Sequence, residues 1–279
     1  MAGSRTRVAI VGGDRAVAAV DLEAIASEAG ASRGDAPAAI AIERVDPERA
    51  DVVLAVGERG LVEAARKAPE APIVAVELDE DPSDGQHDPQ SVGFPDGGSR
   101  YAVDIEGIAD ALDRIADGEG HAGLSTVEHP LLAVSVDGEP VDSALFDVTL
   151  VTSEPARISE YGVRSDGEDH GTFRADAVTV ATPIGSTGYA RRAGGPVSSP
   201  GTGLVVVPIA PFSTRTDTWV LRSPVTLSVE RDEEPVSLVI DDEERRRVET
   251  DEPVSIVVDD QVRIVVPAPA DSEAGLEKL

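Results

Sequence analysis

Residues 131–153 read LLAVSVDGEPVDSALFDVTLVTS. Apolar and polar side chains alternate along this stretch, and Asp137-Gly138 supplies the two-residue turn that joins antiparallel strands. Toward the N-terminus the pattern changes. RVAIVGG (7–13) reads as a strand, and DRAVAAVDLEAIASEAG (14–30) spaces Val17, Val20, Ala24 and Ile25 as one helix. PAAIAIER (37–44), ADVVLAVG (50–57) and APIVAVEL (71–78) read as strands, and ERGLVEAARKA (58–68) as a helix. A long polar loop follows at 79–100, then an amphipathic helix at 103–118 closed by Gly118. Strands separated by helices imply a parallel sheet covered on both faces. Toward the C-terminus, DAVTVATP (176–183), GLVVVPIAP (203–211), VTLSVE (225–230), VSLVIDD (236–242), RRVETDEPVSIVV (246–258) and QVRIVVP (261–267) all read as strands, with almost no helix. The expected fold is an α/β domain over 1–125, a β-rich domain over 126–267 and an exposed tail at 268–279.

The chain has 279 residues, no Cys, 53 Asp+Glu against 24 Lys+Arg, and a formal net charge of −29. Disulfide and thiolate chemistry are excluded. Acidity with 3% aromatics can mark disorder, but 41% hydrophobic residues gathered in strand-like runs favour a folded protein. The expectation is a halophilic protein with an acidic surface, kept hydrated by carboxylates whose repulsion salt screens. A broad basic face for nucleic acid is absent. No apolar run reaches the ~20 residues that span a bilayer, and MAGSRTRVAI enters a strand at once, leaving no room for a secretory leader. A soluble, cytoplasmic protein is expected.

The chemistry concentrates at Ala181–Val197, ATPIGSTGYARRAGGPV. Thr182, Ser186 and Thr187 offer hydroxyls, Gly185 and Gly188 allow close backbone approach, and Tyr189 supplies a ring and a hydroxyl. A polar glycine-bearing loop at a strand end can cradle a nucleotide; an ordinary surface turn has the same composition. Ser186 lacks a nucleophile-elbow pattern, and neither common phosphate-loop motif occurs. His87, His121, His129 and His170 lack metal-ligand spacing and read as surface residues. No metal-binding residue is assigned.

TPIGSTGYARRAGGPV resembles the TPTGSTAYSLSAGGPI segment of the NAD kinase family. Around it, FRADAVTVATP, VVPIAPFS, SALFDVTL and LVIDD resemble that family's segments in the same order. The resemblance implies the two-domain NAD kinase-like architecture. It also implies an ATP-dependent transferase that phosphorylates the adenosine-ribose 2′-hydroxyl of NAD to give NADP. Mg²⁺ or another divalent cation would assist, the ligands would be NAD or NADP, and the assembly would be a homodimer or homotetramer without nucleic acid or membrane partners. The implied NAD-binding residues are Asp147, Asp176, Thr182, Gly185, Ser186, Thr187, Tyr189 and Arg192. The family's GGDGT phosphate motif falls on Val56-Gly57-Glu58-Arg59-Gly60, which assigns Glu58 the catalytic role of the family Asp and Gly57, Arg59 and Gly60 the phosphates. Gly12-Gly13-Asp14 is then only the first strand-to-helix corner.

Several positions depart from the family pattern. Val56 and Arg59 replace glycines, Phe146 replaces an Asn, Ala190-Arg191-Arg192 replaces Ser-Leu-Ser, and Phe212 replaces a His. Two readings follow: an active kinase, or a degenerate haloarchaeal-type paralogue that binds NAD(P) as a sensor or regulator without turning it over. The Arg191-Arg192 pair either contacts a ligand phosphate or is solvated.

Overall fold

The computed structural model describes residues 5–25, 41–77, 101–103, 105–115, 124–154, 157–213, 216–232 and 234–266. The polar loop at 79–100, the helix end at Gly118, the tail at 268–279, His87 and His121 lie outside them. The chain forms two compact units. Of the described residues, one holds those up to Val127 and those from Arg263 onward; the other holds those from Glu128 to Val262.

In the first unit, β1 (Thr6–Gly12), β2 (Ile42–Arg44), β3 (Val52–Val56) and β4 (Ile73–Val76) form a parallel sheet in the order β2-β1-β3-β4. β3 and β4 are buried at every residue, as expected of strands covered on both faces. Helices α1 (Asp14–Ala19), α2 (Gly57–Lys67) and α3 (Ile105–Arg114) accompany them. Ile108 and Leu112 of α3 join Val8, Leu54 and Val74 in one core. The single helix expected over 14–30 is broken. Val20 turns extended (φ −83°, ψ 104°), and the Asp21 carboxylate accepts from the N–H groups of Glu23 (3.0 Å) and Ala24 (3.1 Å), so it caps a fresh turn at 22–25.

The second unit is built from antiparallel strands. β5 (Thr126–Val136) and β6 (Glu139–Ala144) form the hairpin expected at Asp137-Gly138, where φ is +49° and +80°. Those angles are the mirror-image turn that suits strand twist. β8 (Ser159–Ser165) and β9 (Glu168–Ala175) form a second such hairpin at Asp166-Gly167, with φ +52° and +79°. β8 pairs with β13 (Val225–Arg231), and β13 with β16 (Val254–Val265). A separate six-stranded sheet runs in the order β12 (Trp219–Leu221), β11 (Leu204–Ile209), β10 (Ala177–Ala181), β7 (Asp147–Thr152), β14 (Val236–Ile240), β15 (Glu243–Val248). Inward residues of both sheets make one core, including Leu132, Leu150, Tyr161, Val180, Leu227 and Ile256.

Three expectations change here. RRVETDEPVSIVV is two strands, because Asp251 takes φ +71° and Glu252 N–H donates to the Glu249 carbonyl, turning the chain before Pro253. QVRIVVP is the continuation of β16 and not a separate strand. His129 lies on β5 and is fully buried, unlike the surface residue its loop-like context suggested.

Candidate functional site

In the first unit, β3 delivers the chain to a corner at Gly57, whose φ of +69° lies in the left-handed region and whose missing side chain faces open space. α2 starts there with Glu58 in its first turn, where the helix dipole favours a carboxylate. Glu58 is half-buried and Arg59 is exposed. Gly60 serves a different end: a Cβ there would lie 2.6 Å from the Val11 carbonyl oxygen. Its bareness therefore lets α2 pack against β1. Gly12 does the same for β1 and β3, where a Cβ would meet the Val56 carbonyl oxygen at 2.6 Å.

In the second unit, β10 runs into a 3-10 turn at Gly185–Thr187 and a short helix α4 (Tyr189–Arg192). Both are helical elements that the strand-rich pattern did not suggest. The hydroxyls of this turn are spent inside the protein. Thr182 Oγ1 donates to the Leu145 carbonyl (2.6 Å) and accepts from Gly185 N–H (3.2 Å). Ser186 Oγ donates to the Pro183 carbonyl (2.8 Å) and accepts from Ser198 N–H (2.9 Å). Thr187 Oγ1 donates to the Ile184 carbonyl (3.0 Å). All three are buried, so these bonds repay their desolvation. Gly185 is held even more tightly: a Cβ there would lie 2.0 Å from the Phe146 carbonyl oxygen.

That carbonyl belongs to a segment fixed from below. The Asp241 carboxylate accepts from the N–H groups of Leu145 (2.9 Å), Phe146 (2.7 Å) and Asp147 (3.2 Å). Asp241 itself sits at φ +46°, in the turn between β14 and β15. The sequence did not single it out, although an Asp ending the VSLVI strand was visible. Phe146 is buried; its position contributes main chain, and its carbonyl accepts from Thr182 N–H (2.9 Å).

Asp147, Tyr189 and Arg192 lie at the turn or directly after it, and Asp176 lies at the other end of β10. Tyr189 is 38% exposed. Partial burial, then the negative charge of Asp147, push its hydroxyl above the ordinary tyrosine value, with a further push from Asp176 and an opposing pull from Arg192. The phenol is therefore neutral at physiological pH, able to donate and accept. Asp147 opens β7 and stands opposite Ala181 at the far end of β10, while Asp176 immediately precedes β10. One carboxylate thus marks each end of that strand. The Asp176 carbonyl accepts from Thr152 N–H (3.0 Å) and from the buried Tyr161 hydroxyl (3.3 Å). Arg192 is exposed on the last turn of α4. Phe212 is 75% exposed, with the Arg174 guanidinium 5.9 Å above its ring. Among the described residues, no group of three or more His, Cys, Asp or Glu could hold a metal ion, and no helix is long and apolar enough to cross a membrane.

Comparison with known proteins bears on both units. The family model of the ATP-NAD kinase C-terminal domain matches residues 145–266. The chain is 29% identical to the NAD kinase of Methanosarcina barkeri over 215 residues, 75% of this chain and 70% of that protein. It is 34% identical to the NAD kinase of Methanopyrus kandleri over 150 residues, 53% of this chain and half of that protein's length. Two solved structures share the fold. Yeast NADH kinase complexed with NADH has a TM-score of 0.70 at 16% identity, covering 99% of this chain and 87% of the yeast chain. An NAD kinase from Archaeoglobus fulgidus in complex with ATP has a TM-score of 0.63 at 21% identity, covering 94% of this chain and 93% of that one.

Proposed function

We propose that the chain is a member of the NAD kinase family, whose C-terminal domain model it matches, and that it transfers the γ-phosphoryl group of ATP to the 2′-hydroxyl of the adenosine ribose of NAD, giving NADP and ADP. The observation that supports this reading is the placement of Asp147 opposite Ala181, where β10 enters the 182–188 turn, with Tyr189 and Arg192 on the short helix that follows, within the stretch that matches the family model. Carboxylates at the two ends of β10 accept hydrogen bonds from the hydroxyls and amino groups of an extended dinucleotide. Tyr189 offers its ring to a base or sugar, and Arg192 opposes the pyrophosphate charge. The main chain of the 182–188 turn, locked by its own hydroxyls, gives that surface a fixed shape.

We assign the phosphoryl chemistry to the corner at Gly57–Gly60. Phosphoryl transfer is mostly positioning and charge neutralisation. Glu58 takes the proton of the 2′-hydroxyl as that oxygen bonds to the γ-phosphorus and the bond to the ADP oxygen breaks. The N–H groups at Gly57–Gly60 and the guanidinium of Arg59 face the donor's phosphates. Mg²⁺ would accompany the nucleotide as part of the substrate. A yeast relative holding NADH and an archaeal one holding ATP support these two ligand classes.

The test uses the full chain in molar KCl, which screens a net charge of −29. Incubation with Mg²⁺, ATP and NAD yields NADP. Glu58→Ala lowers that rate by about 10²-fold or more, while NAD still raises the thermal midpoint. Stabilisation by NAD without any NADP from the wild-type protein overturns the transfer step, and absence of both overturns the reading.

A further inference from the structure

Tyr161 lies on β8 and is fully buried. Its ring packs beside Phe173, with centroids 6.2 Å apart, and a phenylalanine would fill the same core volume. A buried hydroxyl costs free energy unless it is hydrogen-bonded. The Tyr161 oxygen is therefore a burden on the core unless it is used.

Its use lies at a crossing between sheets. β9 belongs to the ten-stranded sheet and β10 to the six-stranded one, and Asp176 is the single residue between them. The Asp176 N–H donates to the carbonyl of Ile209, at the end of β11 (3.1 Å), and the Asp176 carbonyl accepts from the N–H of Thr152, at the end of β7 (3.0 Å). Both partners belong to the six-stranded sheet. A third bond comes from the other sheet, where Tyr161 Oη donates to the same Asp176 carbonyl (3.3 Å). A phenol has one hydrogen. With that hydrogen committed to Asp176, Tyr161 Oη accepts from Thr152 Oγ1 (3.1 Å), which accepts in turn from Ser159 Oγ (3.1 Å). Burial pushes the Tyr161 phenol above the ordinary tyrosine value, so it keeps its hydrogen at physiological pH.

With its N–H and its carbonyl both held, Asp176 has fixed backbone dihedrals, and these set the direction of its Cα–Cβ bond. Its half-buried carboxylate forms no hydrogen bond or ion pair among the described residues, yet it is near enough to Tyr189 to push that phenol upward. We propose that Tyr161 is a positioning residue: from inside the core its hydroxyl fixes the main chain of Asp176 and so aims that carboxylate at the dinucleotide. This rests on the reading of Asp176 as an NAD-binding group. An acceptor aimed in advance loses little freedom on binding.

The experiment measures NAD affinity by calorimetry in molar KCl for the full chain and for Tyr161→Phe, Asp176→Asn, the double variant and Ser159→Ala, with thermal midpoints to confirm folding. Tyr161→Phe weakens NAD binding about fivefold, the scale of one neutral hydrogen bond. In turnover the loss appears in the Michaelis constant for NAD, with kcat within about twofold of wild type. In the Asp176→Asn background Tyr161→Phe adds less than about twofold, since residues acting through one group are not additive. Ser159→Ala removes a buried hydroxyl of the same cluster without touching the bond to Asp176, and it leaves NAD affinity within about twofold. Additive losses overturn the proposal, as do a loss confined to kcat and a Ser159→Ala effect as large as that of Tyr161→Phe. If Asp176→Asn weakens binding while Tyr161→Phe lowers only the thermal midpoint, the positioning role fails and the functional reading stands. If the wild-type protein binds no NAD, both fall.

Discussion

The corner at Gly57 and the turn at 182–188 look alike in sequence: each is a glycine-bearing loop where a strand gives way to helix. Their physics differ. At Gly57 the backbone is left-handed, the space around the missing side chain is empty, and the acid beside it lies in the first turn of an eleven-residue helix. At 182–188 every hydroxyl is consumed by a neighbouring carbonyl, and Gly185 presses on the main chain of Phe146. The first corner leaves open space beside Gly57; the second is closed and rigid. A hydroxyl-rich loop therefore need not bind through its hydroxyls. In this protein they set the shape of the turn.

The largest effect that can break this contrast comes from adding one methyl group to each loop. Gly185→Ala puts a carbon 2.0 Å from a carbonyl oxygen, against backbone that cannot swing aside. The expected loss is about 4 kcal/mol or more, or roughly 10 °C in thermal midpoint. Gly57→Ala meets nothing within 4 Å and pays only for its φ of +69°, about 1–2 kcal/mol. Equal midpoints for the two variants would mean that the turn is not the closed element described.

A smaller effect isolates what holds the closed turn from below. Asp241→Asn keeps the shape of the side chain, and Asn tolerates the left-handed backbone at φ +46°. What it removes is the charge and one of the two oxygens that accept from Leu145, Phe146 and Asp147. Hydrogen bonds to a charged group contribute about 1.5–3 kcal/mol, so urea unfolding should show a loss of about 2 kcal/mol. A loss below ~0.5 kcal/mol would place the support of this segment elsewhere.

Much of this arrangement was legible in the sequence, and the failures have physical causes. The buried run VVLAV and the Asp137-Gly138 hairpin followed from pattern and turn chemistry alone. The equivalent hairpin at Asp166-Gly167 was missed, because β9 reads EDHGTFRA and its burial pattern is mostly solvent-facing. Periodicity carries little signal in an edge strand that packs only Phe173 and Ala175 inward. Asp21 looked like a polar position within a helix, yet a short carboxylate that can bond backbone N–H groups interrupts a helix as readily as it starts one. Motif matching pointed to Asp147, Asp176 and Tyr189 but passed over Asp241, whose carboxylate accepts from Leu145, Phe146 and Asp147, 94 to 96 positions away, a contact that only the folded chain reveals.

The smallest effect concerns the open corner. Arg59 stands where the family has a glycine, and its side chain is exposed. Exposure means the guanidinium contributes little to folding, so Arg59→Ala should leave the thermal midpoint within about 0.5 kcal/mol equivalent of wild type. If the arginine replaces lost backbone approach by offering charge to the donor's phosphates, its removal appears in the Michaelis constant for ATP. The expected rise is about tenfold, or roughly 1.4 kcal/mol, with the constant for NAD unchanged. The rise should shrink as KCl increases, because an exposed charge is screened. A variant with unchanged constants for both substrates would mean that the open corner works through its N–H groups alone, and that the bulk at position 59 is tolerated there without serving the reaction.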